Sequence, residues 1–445
     1  INYSALGGTG KSVSKMSSFF ANASYSYLDK YILTGALRYD GSDIIGNDNQ
    51  FTPLWNVGLR WNLHREEFMK RWMWVDQFAV RGGFGYTGSI DKNALPFVVM
   101  TLGQSVIYDG QTVPTSFSYP NPNVKWQTKQ DMNVGLDLSL FDYRLELGVN
   151  YYNNITRDVL DRKALPYSSG RSEVTENVAD IYNSGWEIDL GVTLLKNKSF
   201  QWYAKANIAI NDNKVKNTYY KDTKDLPKAT LSNAHQFVEN QPVNGWYGYK
   251  FAGINPINGA VMTYTGNGEA TLDMSVSGAT WPIPSVFYLG NLTPPVVGGF
   301  STSANWKQLI FSANFEFKTG HKIKSFNTFR SLDARNRHTS EANRWREPGD
   351  ITNVPAMSEA FTTYSSYMYD ILLEKGNYLR CSYMTLGYNL KPEWLHKIGF
   401  STARLSFTAK DLFTVSSYSG IDPALMGSFG YPNSRKYTIT LNVGF

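Results

Sequence analysis

The sequence predicts an all-β fold: a transmembrane antiparallel up-and-down β-barrel, of which this chain supplies about 13 strands, with long extracellular loops. Apolar and polar residues alternate in many segments of strand length, so each predicted strand has one apolar and one polar face. The connections between these segments are alternately short and long. No apolar run approaches the about 20 residues that a transmembrane helix needs.

The last nine residues show the alternation most clearly. The apolar side carries Tyr437, Ile439, Leu441, Val443 and Phe445, and the residues between them are small or polar. One face therefore suits lipid and the other a wet lumen, over about the length that a tilted strand needs to cross a bilayer. Tyr437 and Phe445 are predicted to act as a membrane-assembly signal, because the terminal strand must close the barrel and assembly machinery generally reads an aromatic end.

The same alternation recurs along the chain. Met132, Val134 and Leu136, for example, are separated by Asn133 and Gly135. The polar faces carry many charges and glycines, which a packed soluble core would exclude and a water-filled lumen tolerates. The predicted strands lie near residues 17–27, 31–41, 53–61, 77–88, 126–139, 144–157, 178–194, 200–213, 296–306, 309–319, 376–390, 402–414 and 435–445.

The lengths of the connections favour a barrel over a soluble sandwich or propeller, which has no reason to confine long loops to one rim. Two connections of intermediate length, 64–76 and 391–401, carry Trp and Lys and predict a helical turn or a short amphipathic helix. The long connections are predicted at 42–52, 89–125, 158–177, 214–295, 320–375 and 415–434.

The number of strands predicts a direction for the chain. If the last strand ends in the periplasm, counting back about 13 strands starts the first one at the outer rim. Residues 1–16 are therefore expected to belong to an extracellular loop and residues 17–445 to the C-terminal part of the barrel. Since a bacterial single-chain barrel has an even number of strands, we expect an N-terminal portion with further strands and a plug.

Charge and composition exclude several classes of function. The net charge of +6 is spread without a long basic run, so nucleic-acid binding is not expected. Cys381 is the only cysteine, and the five histidines lack the spacing of metal ligands. The carboxylates of Asp137, Glu187, Asp189 and Glu316 are expected to line the lumen rather than act as acid–base catalysts. The sequence therefore predicts no enzyme, no cofactor and no metal site.

Short sequence blocks point to a known family. They include RYDGS at 38–42, RGGFGYTG at 81–88, NPNVKWQT at 121–128, NSGWEI at 183–188, KDLFT at 410–414 and YSGIDP at 418–423. In content and order they resemble the C-terminal barrel of SusC/RagA-type TonB-dependent outer-membrane transporters, nearly from end to end. The resemblance implies a larger, plugged barrel of about 22 strands in the outer membrane of a Gram-negative bacterium.

The resemblance also implies a function, the active import of an oligosaccharide or a peptide. The implied partners are a SusD-like surface lipoprotein that acts as a lid, TonB with ExbB and ExbD acting through the N-terminal part, the N-terminal plug and barrel portion of the same protein, and outer-membrane lipid. Two other functions remain open: a passive diffusion porin, and a secreted β-rich adhesin or carbohydrate-binding protein.

One block departs from the family. Where members carry an acidic DxNGDG loop that reads as a calcium site, this chain has YTGNGE at 264–269. A hard cation requires several carboxylate or carbonyl oxygens, and one Glu with one Asn is a thin set of ligands. We predict no calcium at this loop.

Aromatic residues of the longest predicted loop are the candidates for substrate contact. Flat rings beside polar side chains can stack on sugars or hold the side chains of a peptide. The alternative is that they fold the loop onto itself or pack against the lid protein. The candidates are Trp246, Tyr247, Tyr249, Trp281 and Tyr288.

Overall fold

The computed structural model is almost entirely β, and its largest sheet has 13 strands. The structure describes residues 15–43, 45, 50–90, 99–108, 111–118, 124–165, 168, 173–223, 237–272, 285–325, 342–356, 369–395, 399–426 and 431–445. Within this described part, no helix is long and apolar enough to cross a membrane.

The strands are numbered in chain order. They are β1 (Met16–Tyr27), β2 (Tyr31–Ser42), β3 (Phe51–Asn62), β4 (Val75–Ser89), β5 (Val99–Tyr108), β6 (Gln111–Ser118), β7 (Gln127–Leu140), β8 (Leu145–Ala164), β9 (Glu173–Lys196), β10 (Phe200–Lys216), β11 (Gly245–Gly248), β12 (Phe251–Ile254), β13 (Val261–Tyr264), β14 (Ala270–Leu272), β15 (Phe287–Asn291), β16 (Val296–Trp306), β17 (Leu309–Thr319), β18 (Lys322–Lys324), β19 (Leu373–Lys375), β20 (Tyr378–Asn389), β21 (Thr402–Ser416) and β22 (Lys436–Gly444).

The large sheet follows the order of the chain, β1-β2-β3-β4-β7-β8-β9-β10-β16-β17-β20-β21-β22. The remaining strands form small sheets inside the long connections, namely β5-β6, β11-β15, β12-β13-β14 and β18-β19. The 13 predicted strands are thus confirmed as the members of one sheet. Their connections alternate between two edges, which we call the short-turn edge and the long-loop edge.

Residues are grouped in two compact units. One consists of residues 1–62, 80–134 and 152–182, and the other of residues 63–79, 135–151 and 183–445. Strands β4, β7, β8 and β9 contribute residues to both units.

The short-turn edge uses backbone conformations that tight hairpins require. Leu28 and Asp29 both have φ of +52°, and the Lys30 N–H donates to the Tyr27 carbonyl at 2.9 Å, as in a type I′ turn. At the hairpin between β9 and β10, Asn197 Oδ1 accepts from the N–H groups of Ser199 and Phe200. Such turns fix the pairing register of the strands they join.

The two connections of intermediate length on this edge contain helical turns, as predicted. Residues Leu63–Arg65 and Glu67–Arg71 are 3₁₀ turns, and Pro392–Leu395 form one α-helical turn. Trp72 follows the second 3₁₀ turn and Trp394 lies within the α-helical turn, and both are exposed.

Two strands are at least five residues longer at the long-loop edge than the alternation predicts. β8 ends at Ala164 rather than at residue 157, and β9 begins at Glu173 rather than at residue 178. The predicted loop 158–177 is therefore wrong over much of its length. Asp158 has φ of +56°, and this left-handed residue shifts the phase of the side chains within a continuous strand.

One face of the large sheet is apolar and exposed. Phe300 lies opposite Phe315 in the register, and their rings stack with centroids 4.6 Å apart. Exposed apolar side chains continue across the neighbouring strands, among them Leu386, Leu405 and Phe407. Apolar surface on this scale requires an apolar environment or a partner.

The opposite face is polar. Two of the predicted lumen carboxylates, Glu187 and Asp189, contact polar side chains of neighbouring strands on this face. The polar contacts of this face include Asn150 Nδ2 to Glu187 Oε2 at 3.1 Å, Tyr203 O–H to Glu146 Oε2 at 3.4 Å and Lys205 Nζ to Asp189 Oδ1 at 3.9 Å.

Candidate functional site

Two long connections fold together at the long-loop edge. We call the described residues of the β10–β16 connection (217–223, 237–272, 285–295) and of the β17–β20 connection (320–325, 342–356, 369–377) the loop module. Its core draws side chains from both connections. The buried members are Val238, Tyr247, Tyr249, Ile254, Val261, Val286, Val354, Tyr369 and Leu372.

Backbone contacts join the two connections directly. Tyr249 and Tyr369 form a parallel β-bridge, and the Phe251 N–H donates to Asp370 Oδ1 at 2.9 Å. The Pro256 carbonyl accepts from Trp345 Nε1 at 3.2 Å and from the Gly349 N–H at 2.8 Å. When the core forms, these backbone groups lose their hydrogen bonds to water, and the bonds between the two connections replace them.

Close packing at Gly259 explains why a glycine stands there. Its φ is +69°, which disfavours a side chain, and an added Cβ would overlap the Trp345 ring and the Ala356 methyl group. The Ala356 N–H donates to the Gly259 carbonyl at 2.9 Å. The two connections therefore meet at backbone distance.

The base of the module is attached to the strands beneath it. The Arg380 guanidinium on β20 lies 2.5 Å from Asp422 Oδ1, and both side chains are less than a tenth exposed. Glu374 accepts from the N–H and the hydroxyl of Ser419 at 2.8 and 2.5 Å. The Tyr418 hydroxyl donates to the Lys324 carbonyl at 3.1 Å. The connection between β21 and β22 is thereby fixed to the base of the loop module.

The structure separates the five predicted substrate-contact residues. Tyr247 and Tyr249 are only 2% and 1% exposed, so they pack the core of the loop module. Burial raises the pKa of the Tyr247 hydroxyl, as it does for Tyr288, so both remain protonated at neutral pH. Trp281 lies outside the described residues.

Trp246 and Tyr288 retain part of their surface. Trp246 Nε1 donates to the Lys322 carbonyl at 2.8 Å, which fixes the orientation of the ring. The Tyr288 ring lies 5.9 Å from that of Tyr247. A substrate role for the five aromatic residues stays a prediction, and the packing alternative accounts for Tyr247 and Tyr249.

The terminal strand β22 pairs with β21. Tyr437 stacks on Phe407 with centroids 6.1 Å apart, and Phe445 makes an edge contact with Phe400 at 5.1 Å. Their role as an assembly signal stays a prediction.

Sequence reasoning missed the buried pair Arg380–Asp422 and the bridge at Tyr369. A signal for Asp422 was available, because it stands in the block YSGIDP at 418–423 that carries the family resemblance. No sequence pattern indicated that Tyr369 would meet Tyr249, which lies 120 residues earlier in the chain.

Comparison with known protein families and structures identifies the family of the chain. A family model described as TonB dependent receptor-like, beta-barrel matches residues 2–316. This chain is a TonB-dependent receptor-like β-barrel. The predicted fold class is therefore confirmed, and the family places the chain in the outer membrane, as predicted.

Alignments with curated relatives cover almost the whole of this TonB-dependent receptor-like chain. TonB-dependent receptor P3 of Formosa agariphila is 29% identical over 96% of this chain and 45% of its own length. TonB-dependent receptor SusC of Bacteroides thetaiotaomicron is 23% identical over 96% of this chain and 43% of its own length. The chain thus spans slightly less than half the length of these relatives. By name these relatives are TonB-dependent receptors.

Solved structures show the same relationship. The structure of the RagAB peptide transporter matches 99% of this chain and 50% of its own chain, with a TM-score of 0.78 and 25% identity. The RagAB peptide importer in its open-open state gives the same TM-score over 99% of this chain and 49% of its own. The fold therefore agrees with that of a SusC/RagA-type barrel, as the sequence blocks predict.

Proposed function

We propose that this chain forms the C-terminal barrel portion of a SusC-like TonB-dependent transporter that imports a peptide or an oligosaccharide across the outer membrane. The match to the RagAB peptide transporter, with a TM-score of 0.78 over 99% of the chain, carries the proposal. In this proposal residues 1–16 belong to an extracellular loop and residues 17–445 to the barrel.

The geometry supports separate functions for the two faces of the large sheet and for the loop module. The exposed apolar face of the large sheet suits lipid, and the polar face, with its paired carboxylates and lysines, suits a hydrated path. The loop module stands at the long-loop edge, which in such barrels faces the outside of the cell. It has its own core, so it can present a defined surface to a substrate or a partner.

The proposed partners are a SusD-like surface lipoprotein over the long-loop edge and TonB with ExbB and ExbD, acting through an N-terminal plug and barrel portion of the same protein. The family, described as TonB dependent receptor-like, supports the TonB partnership, and the likeness to the RagAB peptide transporter supports the lipoprotein lid. Energy coupling lies with the N-terminal portion in this proposal, and the chain described above supplies the wall and the outer loops.

Among the aromatic residues, Trp246 and Tyr288 are the proposed substrate contacts. Both rings are oriented by neighbouring groups, and both are only partly buried. Rigid, partly exposed aromatic rings suit stacking on a sugar or on a peptide side chain.

Uptake by the whole transporter in its host tests the proposed function. Cells that carry the intact gene should accumulate a labelled peptide or oligosaccharide pool, and deletion of ExbB should abolish the accumulation. The matched control is a strain that lacks the transporter gene. Equal passage with and without ExbB would contradict active import and would favour the passive porin.

A further inference from the structure

Three aromatic rings are stacked on the surface at the short-turn edge. Trp72 stacks on Trp74 with centroids 6.1 Å apart, and Trp74 stacks on Phe141 at 5.7 Å. These rings are 51%, 48% and 52% exposed, and Met73 between the tryptophans is 91% exposed. Apolar surface of this kind is costly in water and marks a contact with a partner or a membrane.

The rings are held in this position by an ordered backbone. The Phe141 N–H donates to the Trp74 carbonyl at 2.9 Å, and the Val75 N–H donates to the Trp72 carbonyl at 2.9 Å. Met69 is buried under the same connection and anchors it. The exposure of the stack therefore follows from a defined structure.

Basic side chains stand directly beside the rings. Lys70 and Arg71 are exposed and precede Trp72. Lys70 Nζ pairs with Glu67 Oε1 at 2.7 Å, but both side chains are more than 60% exposed, so this pair is readily exchanged.

The other intermediate connection on this edge repeats the combination. Trp394 is exposed, and Lys391 Nζ lies 5.9 Å from the centre of its ring. Both places where the structure replaces a tight turn on this edge with helical turns thus carry an exposed Trp and an adjacent cation.

We propose that the segment 68–74 and Phe141 form a binding site for anionic phospholipid of the periplasmic leaflet. The short turns of an outer-membrane barrel face the periplasm, so this edge meets the phospholipid headgroups. Tryptophan rings favour the boundary between headgroup and acyl chain, and cations beside them attract the phosphate. The apolar stack is also continuous in the chain with strands β4 and β7, whose sheet has an exposed apolar face. This inference rests on the membrane location and not on the imported substrate.

Native mass spectrometry of the whole transporter, loaded with phosphatidylglycerol or phosphatidylcholine, tests the site. We expect retention of phosphatidylglycerol over phosphatidylcholine. The double variant Lys70→Gln/Arg71→Gln should reduce that retention by about fivefold for each charge removed. The matched control is Arg435→Gln, an exposed arginine in the connection that precedes β22 at the long-loop edge, which should retain lipid like the parent protein.

Two further measurements keep the test decisive. Gel migration before and after heating shows whether each variant is folded, and Trp72→Ser/Trp74→Ser supplies a second variant that removes the stack without changing charge. A photo-crosslinking group at position 73 should capture lipid. Equal lipid retention by the parent and both double variants, or capture of a periplasmic protein at position 73, would overturn the proposal.

Discussion

At the scale of single residues, the pair Arg380–Asp422 has the greatest consequence for the loops. Arg380 Nε also donates to the Thr414 hydroxyl at 3.1 Å, and Asp422 Oδ1 accepts from the Ala424 N–H at 2.9 Å. The pair therefore joins β20 and β21 to the connection that follows β21. A buried ion pair adds little over an apolar contact, but the loss of one partner leaves a buried charge.

Asp422→Asn should destabilise the protein by up to about 3–5 kcal/mol, because the buried Arg380 guanidinium loses its close counter-ion and keeps the partly exposed Glu316 carboxylate, whose Oε1 lies 4.0 Å from Nη1. The amide oxygen can still accept from the Ala424 N–H, so the turn itself is preserved. Thermal unfolding of the whole transporter measures the loss.

Lys214→Gln is the matched control. The pair Lys214–Asp212 has a similar separation of 2.6 Å, but both of its side chains are about half exposed, so we expect a loss below about 1 kcal/mol. Equal losses in the two variants would show that burial does not decide the strength of the pair.

We expect the stability of the base of the loop module to depend on pH because of His321. Its side chain is buried, and its Nδ1 has no hydrogen-bond partner among the described residues. Burial, and to a lesser extent Lys318, lowers the pKa of this histidine below its ordinary value of 6.5. The folded protein therefore disfavours the imidazolium, so stability is complete above about pH 6.5 and falls as the pH drops below it.

Hydrogen exchange at pH 7.5 and at pH 5.5, corrected for the intrinsic rate, checks this expectation. Peptides that cover 320–325 and 373–377 should lose protection at the lower pH, and His321→Phe should remove the difference. Burial raises the pKa of Glu374, but hydrogen bonds from Ser325 and Ser419 lower it by more, so this carboxyl does not titrate in the window. If His321→Phe showed the same pH response as the parent protein, the response would come from another titrating group.

At the scale of elements, the alternation of apolar and polar residues predicted where each strand of the large sheet lies, but it did not always predict where the strand ends. β16 and β17 have the predicted bounds, since their alternation is unbroken up to tight turns. β8 and β9 extend further because Asp158 is held by side chains of the neighbouring strand. Its N–H donates to Asp180 Oδ1 and its carbonyl accepts from Asn177. Such a bulge breaks the period of two without ending the strand, so the sequence reads as a loop.

The terminal strand carries a prediction of its own. Phe445→Asp should lower the amount of assembled protein several-fold, because a charge would replace the aromatic end that closes the last strand at the membrane boundary. Surface labelling and heat-dependent gel migration measure the assembled fraction.

Phe400→Leu separates an assembly signal from simple packing. It removes the edge contact between the rings of Phe400 and Phe445 and leaves the aromatic end in place. We expect assembly close to that of the parent protein. Normal surface levels of Phe445→Asp would refute the signal.

At the scale of the whole molecule, the loop module joins parts of the chain that are far apart in sequence. Its core needs Tyr249 from one connection and Tyr369 from the other. Nothing in either segment alone predicts the contact, since neither shows a periodic pattern beyond a few residues. The sequence therefore identified the aromatic residues of the long loop as candidates, but it could not predict which of them are buried.

Tyr369→Ala should loosen both connections together, at a cost of about 3–5 kcal/mol to the module. We expect faster hydrogen exchange in residues 245–264 as well as in 369–375. Tyr431→Ala is the control, because Tyr431 is 98% exposed and lies outside the module. Faster exchange confined to 369–375 would show that the two connections move independently.

The order of the large sheet has a consequence for how such chains diversify. Each strand pairs with the neighbour that the chain supplies next, apart from the small strands within the connections. The entropy cost of closing a connection grows slowly with its length, so a longer insertion at the long-loop edge leaves the register of the adjoining strands intact. Outer segments can therefore be exchanged between related chains as cassettes, while the strands beneath them keep their pairing.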